Sequence, residues 1–330
     1  MPKKLSARDI RRRTKQIRYA IDGTRRRIVN LKFIRTAQFP YRSPSTPKGI
    51  DPLPTQAKTG SSFKTGWARK TPALTFRMIF SEFPMRPIIQ FLAKPSMIGI
   101  DGLADIPSYQ PVIFVANHHS HIDTPLLLTS LPIRWRKKLV VGAAADYFFS
   151  TRVTGALSAL FIGAIPIERK KITRKSSDDI AELIDKGWSF MVFPEGGRSP
   201  DGWGQPFRGG AAYLSIRCNA PIVPIHVTGT GAILRKGRNL PKRSKTTINF
   251  GRPIWPDDEE SSRSLAKRIE ISVAQLADET STNWWEARKR LYEEETPTLH
   301  GPKVSSWRRA WELSERKGKQ QSPTRKWPSI

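Results

Sequence analysis

Three of the chain's five histidines fall within four residues, in the run Asn117-His118-His119-Ser120-His121-Ile122-Asp123. Imidazole can take a proton near neutral pH, and a carboxylate on its second ring nitrogen fixes the tautomer and stabilises the imidazolium. His118 and Asp123, five positions apart, can meet in this way if the chain turns into a helix between them. No Gly-x-Ser-x-Gly nucleophile elbow accompanies them, so such a base would act directly on a substrate hydroxyl. The plainer reading of His-x4-Asp is a turn with a helix-capping aspartate, and spacing alone does not separate the two. Metal binding is a third reading, because His118, His119, His121 and Asp123 are all zinc-ligand types. Near-adjacent histidines on one loop rarely converge on one ion, and no metal or cofactor is assigned here.

Two further loops could handle an anion. Phe193-Pro194-Glu195-Gly196-Gly197-Arg198-Ser199 closes an apolar run that begins at Trp188. Its glycines let the backbone approach a ligand closely and aim successive N–H groups at it, and Arg198 adds a planar donor suited to phosphate. Gly163-Ala164-Ile165-Pro166-Ile167-Glu168-Arg169 ends another run with a second arginine, and Ala220-Pro221-Ile222-Val223-Pro224-Ile225 brackets a third with prolines. Taken singly, each is an ordinary loop or strand end.

The elements that must position these residues alternate along the chain. Strands are expected near 111–116, 138–143, 162–167, 188–193, 221–227 and 246–250. Helices are expected near 124–131, 151–160, 176–186, 209–218 and 262–292. This alternation predicts an α/β fold with a largely parallel sheet flanked by helices. Runs such as Val112-Ile113-Phe114-Val115 and Phe190-Met191-Val192-Phe193 suit strands covered on both faces. The histidine cluster and the Glu195 loop then sit at strand ends, where open α/β sheets place their ligands.

Lysine and arginine number 57 against 28 acidic residues, a formal net charge of +29. The excess is uneven: residues 1–70 carry 19 basic and 3 acidic side chains. That imbalance points to a polyanionic partner, an anionic membrane surface or a nucleic acid. Residues 3–35 place isoleucines between arginine clusters at roughly helical spacing, which fits a basic amphipathic helix or a disordered arm. Residues 40–72 read as linker, being rich in Pro, Ser, Thr and Lys. From 74 to 100 the chain turns apolar and aromatic with interspersed Arg77, Arg86 and Lys94. This suits an N-terminal amphipathic membrane-facing segment or an ordinary packing helix. The longest promising stretch for a membrane span, Val153 to Ile167, is 15 uncharged residues broken by two glycines and a proline, which is too short. No secretory h-region is visible in residues 1–30. The single cysteine, Cys218, excludes an intramolecular disulfide framework, and a cytoplasmic location with peripheral contact at the inner membrane face is expected.

In this order, the four blocks resemble the glycerophospholipid acyltransferase family, which includes the 1-acylglycerol-3-phosphate acyltransferases. The blocks are Asn117-His118-x4-Asp123, the Gly163 to Arg169 run, Phe193 to Ser199, and the proline-containing strand at 220–225. The resemblance implies transfer of a fatty acyl group from acyl-CoA or acyl-ACP to a lysophospholipid hydroxyl, most simply that of 1-acylglycerol-3-phosphate. It also implies His118 as general base and Asp123 as its partner. Asn117, Arg169, Glu195, Gly196, Gly197, Arg198 and Pro224 would bind substrate, and a thioester's good leaving group makes an enzyme nucleophile or metal unnecessary. Gly197 stands where many members have threonine and Pro166 where an aromatic is commoner, which leaves the acceptor open. Residues 73–292 are the expected catalytic domain, 1–72 a basic arm and linker, and 293–330 a basic tail. Two alternatives stay open: another lipid alcohol as acceptor, or a nucleic-acid-binding protein working through its basic arm. The latter is disfavoured because the α/β core would be idle and no recognition motif recurs.

Overall fold

The computed structural model describes residues 60–168, 174–199, 202–234 and 240–300. Among them, seven strands form one sheet: β1 (Pro95–Ile98), β2 (Ile113–Ala116), β3 (Leu139–Ala144), β4 (Ala164–Ile167), β5 (Ser189–Val192), β6 (Ile222–Thr228) and β7 (Thr246–Phe250). Their order is β1-β7-β6-β2-β5-β3-β4. Every neighbouring pair is parallel except β6 with β7. The expected largely parallel α/β sheet is therefore present, with all six expected strands in it.

β2 shows why the sheet is covered on both sides. Its side chains alternate, so Phe114 and Ala116 enter one apolar layer while Ile113 and Val115 enter the other. All four are fully buried, each large one contributing about 1.5–3 kcal/mol of burial. The first layer is closed by helices α1 (Thr71–Phe80), α2 (Arg86–Ala93), α3 (Asp123–Ser130) and α4 (Arg152–Ile162). The second is closed by α5 (Arg174–Asp185), α6 (Gly210–Cys218) and α7 (Ser262–Ser281), with α8 (Trp284–Tyr292) packed on α7.

The structure corrects the segment expectations in three places. Residues 74–100 are not one helical stretch. Pro84 lacks the N–H for an α-helical bond, and a π-helical turn at Ser81–Met85 separates α1 from α2. Lys94 then leaves the helix in the left-handed region (φ 40°), and Pro95 begins edge strand β1, which pairs with β7. The expected helix 262–292 is two helices, because Asn283 accepts from the Glu286 N–H and caps α8. Arg290 pins α8 back onto α7 through Asp278 at 2.5 Å. Thirdly, the stretch read as linker is folded from Gly60 onward, where short 3-10 turns bury Thr65 and Ala68. At the other end the described chain continues past Tyr292 to His300, whose Nε2 lies 2.9 Å from Glu270. The basic pattern at 3–35 and residues 301–330 lie outside the described residues.

α4 anchors this half of the molecule. A Thr151–Thr154 capping box starts it and Gly163, at φ 67°, ends it. The carbonyls of Ala159 and Leu160 at its C-terminus accept from the buried Arg77 guanidinium at 2.7 and 2.8 Å. Burial first, then the charge of Arg69, pushes Arg77 down to about 10, so it stays protonated and complements the helix's negative end. No helix among the described residues is long and apolar enough to cross a membrane.

Candidate active site

The strand order decides what meets what. β2 ends at Ala116 and delivers Asn117 and His118; β5 ends at Val192 and delivers Phe193 to Ser199. The two strands are neighbours with Val115 opposite Val192, so the histidine cluster and the glycine loop emerge side by side.

Asp123 opens α3 and is fully buried. Its Oδ2 accepts from His118 Nδ1 at 2.9 Å and from the backbone N–H groups of His119 and Ser120 at 2.7 and 2.8 Å. The capping reading and the orienting reading are thus one oxygen doing both jobs. With Nδ1–H held by Asp123, Nε2 of His118 is the ring nitrogen with no partner among the described residues. Phe193 stacks on the imidazole at 4.2 Å between ring centres.

The second block of residues braces the first. Glu195 Oε1 accepts from the His118 N–H at 3.0 Å and Oε2 from the Gln205 N–H at 3.1 Å. The Ser199 N–H donates to the His118 carbonyl at 2.8 Å. Gly196 sits at φ 71°, and a Cβ there would lie 2.8 Å from the Arg208 guanidinium carbon, so this turn requires glycine. Asn117 ties β2 to β6: its Nδ2 donates to the Val227 carbonyl at 2.9 Å, and its Oδ1 accepts from the Val227 N–H at 2.7 Å.

The histidine cluster and the glycine loop border a cleft of about 470 Å³. His118, His121, Gly196, Gly197 and Arg198 form polar wall, while Val141, Ile162, Ile167 and Val192 form apolar wall. Of the expected substrate residues, Gly196, Gly197 and Arg198 line the cleft, with Asp123 directly behind His118. Asn117, Glu195 and Pro224 are buried off its wall: Asn117 and Glu195 bond to backbone, and Pro224 packs within β6 near Gly251. Arg169 lies outside the described residues. Sequence reasoning missed Tyr147 and Phe148, which also line the cleft. The aromatic run Tyr147-Phe148-Phe149, just beyond an expected strand, was the signal that could have found them.

The three clustered histidines do not converge. His118 and His121 face the cleft, whereas His119 is off its wall, with its Nε2 3.4 Å from Asn117 Nδ2. Among the described residues no group of three His, Cys, Asp or Glu side chains is arranged to hold a metal ion. Burial dominates the electrostatics. It raises the Glu195 carboxyl to about 7, against the two backbone N–H donors that pull it down. It lowers His121 to about 4, with Arg198 and His118 adding to the effect, and lowers His226 to about 4, with His119 adding. Cys218 is pushed up to about 11 by burial and is a poor nucleophile.

Residues 98–228 match the Acyltransferase family. The 1-acyl-sn-glycerol-3-phosphate acyltransferase BAT2, chloroplastic, of Brassica napus is 34% identical over 156 residues, 46% of this chain and 41% of that protein. The human 1-acyl-sn-glycerol-3-phosphate acyltransferase alpha is 31% identical over 199 residues, 56% of this chain and 65% of its own length. The chain thus spans about two fifths of the plant relative and just under two thirds of the human one. The crystal structure of the 1-acyl-sn-glycerophosphate (LPA) acyltransferase PlsC from Thermotoga maritima superposes with a TM-score of 0.50 at 23% identity. It covers 68% of this chain and 86% of that one, a likeness of fold.

Proposed function

We propose that this chain, which carries an Acyltransferase-family domain at residues 98–228, moves a fatty acyl group from an acyl thioester to the hydroxyl of 1-acylglycerol-3-phosphate. The observation that carries this reading is the His118–Asp123 pair, with a free Nε2, on the wall of a cleft that also holds Gly196, Gly197 and Arg198. His118 Nε2 removes the acceptor's hydroxyl proton as the oxygen attacks the thioester carbonyl, and Asp123 stabilises the imidazolium that results. Assistance of this kind is worth roughly 10²–10⁴-fold. The proton can then pass to the departing thiolate of CoA or of acyl carrier protein.

A direct transfer suits the surroundings. Ser120, two residues after His118, donates its hydroxyl to the Leu234 carbonyl at 2.9 Å and is fully buried. Arg198 and the N–H group of Gly197 are the acceptor-phosphate contacts in this reading, since the Gly196 N–H donates to the Phe193 carbonyl at 3.1 Å. The apolar wall of Val141, Ile162, Ile167 and Val192 takes acyl chain. Phe76, Ile79, Phe83, Ile88 and Phe91 of the α1–α2 region are exposed, Phe83 by 75%. We assign this face to peripheral contact with an anionic lipid surface, where both acceptor and product reside.

The test follows thiol release from a long-chain acyl-CoA, with and without 1-acylglycerol-3-phosphate, for the wild type and His118→Ala. Acceptor-dependent release that falls below a hundredth in the variant is expected. Release that ignores the acceptor would make the protein a thioesterase, and a variant keeping more than a tenth of the activity would remove His118 from the mechanism.

A further inference from the structure

His121 shares the cleft wall with His118 but does not belong to the dyad. Its ring is fixed from two sides: Tyr147 stacks on it with centres 5.5 Å apart and planes 18° apart, and Phe148 meets it edge-on at 6.3 Å. The Tyr147 hydroxyl lies 3.3 Å from His121 Nε2. In the tautomer where the phenol O–H donates to Nε2, the proton of the neutral ring sits on Nδ1. That Nδ1–H is a donor with no partner among the described residues.

The charged and titratable groups facing His121 are Arg198, His118 and Asp123, with Tyr147 on its face. Burial together with Arg198 and His118 outweighs Asp123 and holds the imidazole at about 4, so it is neutral at any working pH. A neutral N–H donor beside a guanidinium suits one ligand chemistry. A phosphomonoester presents three terminal oxygens; a planar guanidinium grips two and leaves the third for a single donor. A neutral lipid alcohol offers no such oxygen.

Resting on the acyl-transfer reading, we propose that His121, oriented by Tyr147, donates through Nδ1–H to the acceptor's phosphate beside Arg198 and thereby selects phosphomonoester acceptors over neutral lipid alcohols. No proton is transferred in this contact. Its contribution is therefore flat with pH wherever the phosphate is a dianion, unlike that of an imidazolium.

The test compares 1-acylglycerol-3-phosphate with monoacylglycerol as acceptors, at saturating acyl-CoA, for the full chain and three variants. His121→Phe keeps the ring stack and removes the donor. It should raise KM for the phosphate acceptor about tenfold or more, the scale of a lost hydrogen bond to a charged group, with kcat, donor KM and monoacylglycerol kinetics unchanged. His121→Asn, whose amide N–H replaces Nδ1–H, should restore most of the affinity, and Tyr147→Phe should lose a smaller part. The His121→Phe effect should be constant between pH 7 and 8.5. Equal changes for both acceptors, a fall in kcat alone, failure of asparagine to rescue, or an effect that fades as pH rises would each overturn the proposal. Calorimetric binding of 1-acylglycerol-3-phosphate without donor separates the two claims. Binding weakened by His121→Phe in a protein that performs no transfer would refute the reaction and keep the anchor. Transfer with binding indifferent to His121→Phe would keep the reaction and refute the anchor.

Discussion

Replacing Glu195 by glutamine should change the pH dependence of stability by a calculable amount. The side chain is 2% exposed, and burial lifts its carboxyl from 4.5 to about 7 despite the N–H groups of His118 and Gln205. Because the folded value is the higher one, the native state holds a proton that the unfolded chain releases. The stabilisation is complete below about pH 4.5, declines as pH rises, and is gone above about pH 7. At about 1.4 kcal/mol per pH unit of that interval, the loss is roughly 3 kcal/mol. Glutamine is neutral throughout, but its NH2 faces one of the two backbone N–H donors, which costs about 1–3 kcal/mol. The variant should therefore be less stable than the wild type at pH 5 and equally or more stable at pH 8. His121 and His226 titrate with the opposite sign, since their folded values near 4 lie below 6.5. Their stabilisation is present above pH 6.5 and lost as pH falls through 4, and it cancels between the two proteins. Urea denaturation at pH 5, 6, 7 and 8 reads the difference directly. A gap between wild type and variant that stays constant across this range would show that the buried carboxyl does not carry its proton, and the reasoning from burial would fail.

Three other substitutions address the remaining contacts. Asp123→Asn should lower kcat by about 10²–10⁴-fold, because an amide cannot stabilise the imidazolium while also accepting from two backbone N–H groups. Steady-state rates check this, and a variant retaining more than a tenth of kcat would demote Asp123 to a helix cap. Asn117→Ala should destabilise the fold by about 2–4 kcal/mol, since it strands both the N–H and the carbonyl of Val227. A urea midpoint within error of the wild type would contradict that. Arg198→Ala should raise the acceptor's KM and leave the donor's unchanged; initial-rate kinetics with each substrate varied in turn would expose a shared or absent effect.

Much of this protein is legible one segment at a time. Hydrophobic runs mark β2 to β6, because a strand covered on both faces must be largely apolar. The His118–Asp123 contact is equally local, since five residues turning into a helix suffice to bring the ring to the carboxylate. Where the local signal was ambiguous, expectation and structure parted. Pro84 and Lys94-Pro95 broke one expected helix, Asn283 broke another, and β1, only four residues long, was hidden at the end of an apolar stretch.

What the chain alone could not reveal is which strand ends become neighbours. β5 inserts between β2 and β3, although β3 and β4 precede it in sequence, so Glu195 reaches His118 across 77 residues and Tyr147 reaches His121 across 26. The same motif residues then part ways. Arg198 opens onto the cleft, whereas Glu195 and Asn117 turn inward to satisfy buried backbone. The residue types and their spacing determined the chemistry this protein can attempt, because proton affinity and local turns belong to short segments. Strand order, burial and the pairing of distant loops decided which side chains meet substrate, because those depend on the sheet as a whole.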